Sequence, residues 1–219
     1  MKKKTEEIMS LIIAKNISEF KNFSHIDSKL MIYERNVPKD SANFFKKLIK
    51  IDFSVNAEIS KFEAKKNIKS VLLDVFPFEI KASIFYETWI NDIAHLCKIF
   101  SDIQNTNSIS MWLGSKRGCK RYHIDNVPQR LLVTYSGEGT EWLPDDAGDK
   151  IAYLNGEPNE KILKNSKKKQ FVNEWDIAIF KGGSEGLLHR TPDSALNKHS
   201  ILLRLDHAHY WKNVYNNIA

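Results

Sequence analysis

The chain has 219 residues, 42% of them hydrophobic and 27% charged, and carries a formal net charge of +6. This mix excludes disordered and collagen-like classes, and the length suits one compact unit. No apolar run approaches the roughly 18 residues that span a bilayer, so no membrane partner is expected. The glutamates in MKKKTEEIMSLIIAK make a poor export signal, which places the chain in the cytoplasm with Cys97 and Cys119 as reduced thiols. The lysines are dispersed, and their one dense run, KILKNSKKK at 161–169, lacks interleaved aromatics. It reads as a solvated loop rather than a nucleic-acid contact.

In the first half, apolar residues recur at three- and four-residue spacing in EEIMSLIIAKNISEF, ANFFKKLIKI and EAKKNIKSVLLDVF, so each is expected to be helical. Pro77 breaks the pattern. Residues 79–103 then form a long amphipathic stretch without Gly or Pro, expected as the principal helix on a sheet, with Cys97 on its apolar stripe. After Asn107 the character changes to short β-rich runs between turn residues: SISMWLG, KRYHID, QRLLVTYSG, TEWLP, KIAYLN, QFVNEW, DIAIFKGG, LLHRTP and HSILLRLDH. So many short strands imply a sandwich or barrel. The expected fold class is α+β in a single domain, 1–219, with a helical part (1–106) bracing a β part (107–219) from outside.

The chemistry concentrates in the second half. His123 and Asp125 stand two apart in a β-like run, where alternate side chains share a face, so an imidazole and a carboxylate can meet one metal ion. His189, in GLLHRTP, is the best third ligand. Two histidines and one carboxylate make the open face that holds ferrous iron.

The order YHIDNVPQRLLVTYSGEGTEWLP, NEWDIAIFKGG, LLHRTP, KHSILLRLD, over about residues 108–209, resembles the Fe(II)/2-oxoglutarate dioxygenases. The segment GCKRYHIDNVPQRLLVTYSGEGTEWLP with the later HRTP is closer still to a bacterial family, the domain of unknown function 1826. The resemblance implies a double-stranded β-helix (jelly-roll, cupin-like) core with His123, Asp125 and His189 at its mouth. It further implies Fe(II) and 2-oxoglutarate as cofactors, and hydroxylation of a small-molecule or amino-acid-like substrate. A carboxylate at position 125 disfavours halogenation, which leaves that ligand place to chloride.

The pattern also asks for a basic residue that pairs with the remote carboxylate of 2-oxoglutarate. Lys198 with Ser200 lies where the usual Arg-x-Ser falls, and Arg204 follows. On one predicted strand, alternation puts all three on one face. Arg130 is a third candidate, and Tyr135 a further residue placed near the site.

Cys119 opens a rival reading. With His123 and His189 it would suit zinc, in a metal-homeostasis protein without turnover. A cupin-like isomerase or hydrolase using the metal as a Lewis acid is another. Bland readings are preferred elsewhere. His207 and His209, with Asp206 and Tyr210, read as a polar strand end; Trp112, Trp142 and Tyr122 as packing; Arg190 as a structural ion pair; and Asn126 as a turn cap. The helical half is open as a lid or homodimer surface, and the loop 145–170 carries no legible role.

Overall fold

Period-two alternation of apolar residues organises the sheets of the computed structural model, which describes residues 9–209. Its strands are β1 (Met9–Ile13), β2 (Ser28–Tyr33), β3 (Ser54–Ser60), β4 (Ser108–Gly114), β5 (Gln129–Ser136), β6 (Glu141–Trp142), β7 (Gln170–Phe171), β8 (Ile177–Lys181), β9 (His189–Arg190) and β10 (Ile201–His207). Seven form one sheet in the order β1-β2-β8-β5-β10-β4-β3, and β7-β6-β9 form a smaller one. Pairing in the large sheet is antiparallel except between β1 and β2. The result is a mixed α/β fold dominated by a large antiparallel sheet.

The helices are α1 (Ser41–Leu48), α2 (Ala64–Val71), α3 (Phe78–Lys81), α4 (Ile84–Ile103), α5 (Lys150–Leu154), α6 (Asn159–Ile162) and α7 (Asp193–Asn197). Helix α4 buries Trp89, Ile90, Ile93, Leu96, Cys97 and Phe100. These join Leu131, Val133 and Tyr135 of β5 and Leu203 and Leu205 of β10 in the main core. The other face of the sheet presents Leu132 and Leu202 to Trp142 of β6 and Leu187 before β9. One face of β5 and β10 therefore meets helices, and the other meets the small sheet.

Several elements differ from their sequence pattern. The stretch EEIMSLIIAKNISEF lies partly outside the described residues; its described part is strand β1 followed by a 3-10 helix, Ile17–His25, capped where the Asn16 side chain accepts the Ser18 N–H. Short apolar runs satisfy both periods, and pairing with Leu30, Met31 and Ile32 decides for the strand. The first half thus adds three strands, β1 to β3, to the large sheet rather than only bracing it with helices. Residues 79–103 are not one helix, because Ser83 takes extended backbone (ψ 135°) between α3 and α4. KIAYLN is helix α5, not a strand, since the Asp149 carboxylate accepts the N–H groups of Ile151 and Ala152. KRYHID forms no ladder strand; its pairing is a single bridge from His123 to His189. No helix among the described residues is long and apolar enough to cross a membrane.

Trp89 is fully buried, with Phe44, Phe45 and Tyr135 ring centroids 5.5, 5.8 and 5.9 Å away. Trp89→Ala should therefore cost about 3–5 kcal/mol, read as a lower urea midpoint.

Candidate metal centre

The bridge between His123 and His189 is the local reason two residues 66 positions apart meet. Each donates its backbone N–H to the other's carbonyl at 3.0 Å, and the ring centroids stand 4.4 Å apart. Asp125, two residues on, is turned into the same space by the end of β8. A Cβ on Gly182 would lie 2.0 Å from the Val127 carbonyl oxygen and 2.4 Å from that of Asp125, so glycine permits the close passage. Gly183 then donates its N–H to the Asp125 carbonyl at 2.8 Å.

One ligand atom from each of His123, Asp125 and His189 lies within 4.8 Å of the others. His123 Nδ1 is 3.0 Å from the Arg121 carbonyl, and His189 Nδ1 is 2.9 Å from that of Leu187. A carbonyl only accepts, so both rings carry their proton on Nδ1 and turn the Nε2 lone pair inward. The inward atoms approach the carboxylate, His123 Nε2 at 3.7 Å from Oδ1 and His189 Nε2 at 3.4 Å from Oδ2. Asp125 Oδ2 is buried without a hydrogen-bond partner. Burial lowers His189 to about 4, so its imidazole is neutral and free to coordinate at neutral pH.

Asp125 does not stand alone. Arg130 of β5 donates from Nη1 to Asp125 Oδ1 and from Nε to Asp206 Oδ1 at 2.6 Å. Arg204 of β10 approaches the same Asp206 carboxylate, Nε to Oδ2 at 3.0 Å, and lies over the Trp112 ring at 5.5 Å. Burial raises the Asp206 carboxyl above its ordinary value, against the pull of Arg130 and Arg204, whereas neighbouring positive charge keeps Asp125 below its own. A second buried cluster fixes β9: Arg190 pairs with Glu141 on β6 and with Asp193, packs over Tyr122 at 4.9 Å, and Tyr122 donates to Glu141. Arg190 is a structural ion pair, as its position after His189 suggests.

The three candidate ligands do not share one cavity wall evenly. His123 and His189 line a cavity of about 90 Å³ with Trp112, Arg117, Cys119, Arg130 and Arg204, among others. Cys119 is exposed and lies outside the ligand-atom group, so its thiol does not complete a set with the histidines. Lys198 and Ser200 are not with Arg204. The strand begins at Ile201, so alternation does not extend back to Lys198, which follows α7 and lines another pocket with Ile49, Lys50 and Gly137. Ser200 is fully buried against the Gly137 turn, where a Cβ would meet its own at 2.8 Å. Tyr135 points to the helix side of β5 and donates to Asp92 at 2.6 Å. Sequence reasoning missed Asp206 and Arg117. The R-x-D spacing of Arg204 and Asp206, mirroring H-x-D on another strand, was the available signal for the first.

The family model described as Protein of unknown function (DUF1826) matches residues 14–206, and the chain belongs to that family. No protein of curated function matches it. Among solved structures it is similar to the dioxygenase for auxin oxidation of rice, at 10% identity and TM-score 0.49, over 91% of this chain and 82% of that one. It is also similar to the Arabidopsis thaliana dioxygenase for auxin oxidation 1 in complex with 2-oxoglutarate (8% identity, TM-score 0.41, 91% and 92% covered). A third is an oxidoreductase of the 2OG-Fe(II) oxygenase family from Burkholderia pseudomallei (9%, 0.39, 93% and 96%). All three lie below a TM-score of 0.5.

Two measurements follow from the buried charges. His189 titrates lower in the folded than in the unfolded chain, so the unfolded state takes up the proton first as pH falls. The metal-free protein should hold the full stability of a neutral His189 above pH 6.5 and lose it progressively down to about pH 4; urea titrations of His189→Gln should show a shallower slope across that window. Arg130→Gln leaves the buried Asp125 without its cation and takes one of two from Asp206, and should cost about 3–5 kcal/mol in a urea melt. Divalent-metal affinity, measured against a chelating indicator, should fall about 10–100-fold as Asp125 loses its support.

Proposed function

We propose that this protein is a non-haem Fe(II)/2-oxoglutarate-dependent oxygenase that hydroxylates a small-molecule or amino-acid-like substrate. The observation that carries the reading is the donor set: two imidazoles with Nε2 turned inward around a buried carboxylate oxygen that lacks a hydrogen-bond partner. Two nitrogens and one oxygen of this kind suit a divalent first-row metal and leave coordination places open. His123, Asp125 and His189 would hold the iron, which when bound supplies oxygen activation coupled to oxidative decarboxylation of 2-oxoglutarate. In this reading the two sheets are the leaves of a double-stranded β-helix, and the chain is one domain whose first half braces the second.

The protein's own groups have distinct tasks. Arg130 holds Asp125 by Oδ1, which leaves Oδ2 for the metal. Arg204, on the cavity wall over Trp112, is the group for the remote carboxylate of 2-oxoglutarate. Arg130 is less suited to that task because Asp125 and Asp206 already occupy it. The unpaired cysteines agree with a cytoplasmic setting.

The test is to prepare the full chain without chelators, add Fe(II), 2-oxoglutarate and oxygen, and follow succinate. Oxygen-dependent succinate is expected from the wild type, and His123→Ala should lose both metal and turnover. Arg204→Gln should keep its metal but raise KM for 2-oxoglutarate about 10–150-fold, the loss of a charged hydrogen bond of about 1.5–3 kcal/mol. Tightly bound zinc that depends on Cys119, with no succinate, would overturn the oxygenase reading.

A further inference from the structure

The wall of the cavity beside His123 and His189 is lopsided in charge. It carries Lys116, Arg117, Arg130, Arg190 and Arg204 but no carboxylate. Four of these cations have an acidic partner behind the wall. Arg130 and Arg204 share Asp206, Arg190 has Glu141 and Asp193, and Lys116 meets Asp52 at 2.5 Å.

Arg117 is built differently. Its Nη1 donates to the Glu138 backbone carbonyl at 2.8 Å and its Nη2 to the Thr140 hydroxyl at 3.0 Å, while its Nε is buried without a hydrogen-bond partner. Among the described residues no carboxylate comes within ion-pair distance of it, and Glu138 and Cys119 act on it only through longer-range attraction. Burial lowers the guanidinium to about 10, so it is charged at neutral pH. Two neutral acceptors therefore clamp a planar fork at the cavity and leave it, among the described residues, without a carboxylate in ion-pair contact. Desolvating such a cation is costly, and an anion arriving in the cavity recovers that cost through charge-assisted bonds.

We infer that Arg117 anchors an anionic group of the primary substrate, a carboxylate or a phosphate monoester, separately from the co-substrate carboxylate assigned to Arg204. The inference rests on the oxygenase reading for the word substrate, but the anion site itself does not. Arg204 is matched by Asp206 whereas Arg117 has no carboxylate at ion-pair distance among the described residues, so the two cations offer two anion positions rather than one. A neutral substrate would leave Arg117 without an anionic partner in the cavity.

The experiment titrates the full-length, metal-loaded protein, saturated with 2-oxoglutarate, with inorganic phosphate and separately with acetate, following heat. Tighter binding of one anion identifies the phosphate or the carboxylate source. Arg117→Gln should weaken that binding at least tenfold while 2-oxoglutarate affinity and metal content stay within twofold. Arg117→Lys, which keeps the charge without the fork, should recover part of it and controls for folding. Arg204→Gln, titrated without 2-oxoglutarate, should still bind the anion. Anion binding that is absent from the wild type, unchanged in Arg117→Gln, or lost in Arg204→Gln would overturn the inference. If the wild type binds phosphate or acetate through Arg117 but takes up no 2-oxoglutarate, the anion site stands and the oxygenase reading falls.

Discussion

Arg130 is the residue on which the site depends. It is buried and held between two buried carboxylates, Asp125 among the candidate ligands and Asp206 on the neighbouring strand β10. Neither acid could stay charged in that position by itself, because burying an unpaired carboxylate costs more than a domain of this size can spare. Arg130 places both acids under one cation, and Arg204 adds a second on the far side of Asp206. The sequence Asp125, Arg130, Asp206, Arg204 runs from the candidate ligands to the cavity wall. Alternating acids and cations link the two ends, and Asp125 Oδ2 is left without a hydrogen-bond partner.

That arrangement needs a rigid floor. Arg130 and Leu132 project from one face of β5, and Leu131, Val133 and Tyr135 from the other into the aromatic core around Trp89. The helix side is apolar and closely packed, so β5 cannot rotate to relieve strain among the charges. On the opposite side the Arg190 and Glu141 pair, closed by Tyr122, ties β9 to β6 and holds His189 against His123. The centre is thus set by two buried ion clusters, one below Asp125 and one beside His189.

How much of this the sequence showed depended on the range of the interaction. The H-x-D spacing and the later His-Arg were legible because they are short-range, and the mixed α/β class with a β-rich second half followed from the apolar spacing. Helices α1 and α2 appeared where their spacing put them. What failed was ambiguous or non-local. MSLII fits either period, and only its partner strand decides. KIAYLN became a helix through an Asp149 cap that an apolar-spacing pattern does not weigh. Lys198 and Ser200 looked like partners of Arg204 only while the strand was assumed to run through them. Asp206 looked like a solvated strand end, and its role depends on Arg130, 76 positions away. Arg117 carried no pattern at all; what sets it apart is that, among the described residues, no carboxylate lies within ion-pair distance of it.

The strand order has a consequence for how the chain can be divided. Strands β1 and β2 cover β8 on one side of the large sheet, and β3 covers β4 on the other, so the first half of the sequence supplies both outer margins of a sheet whose middle comes from the second. Were residues 107–219 released alone, β8 and β4 would each present a row of unpaired N–H and C=O groups, one on either side. Exposed margins of that kind recruit strands from other molecules. The segment that bears every candidate ligand is thereby tied to the segment that bears none, because without it the second half would become a template for self-association.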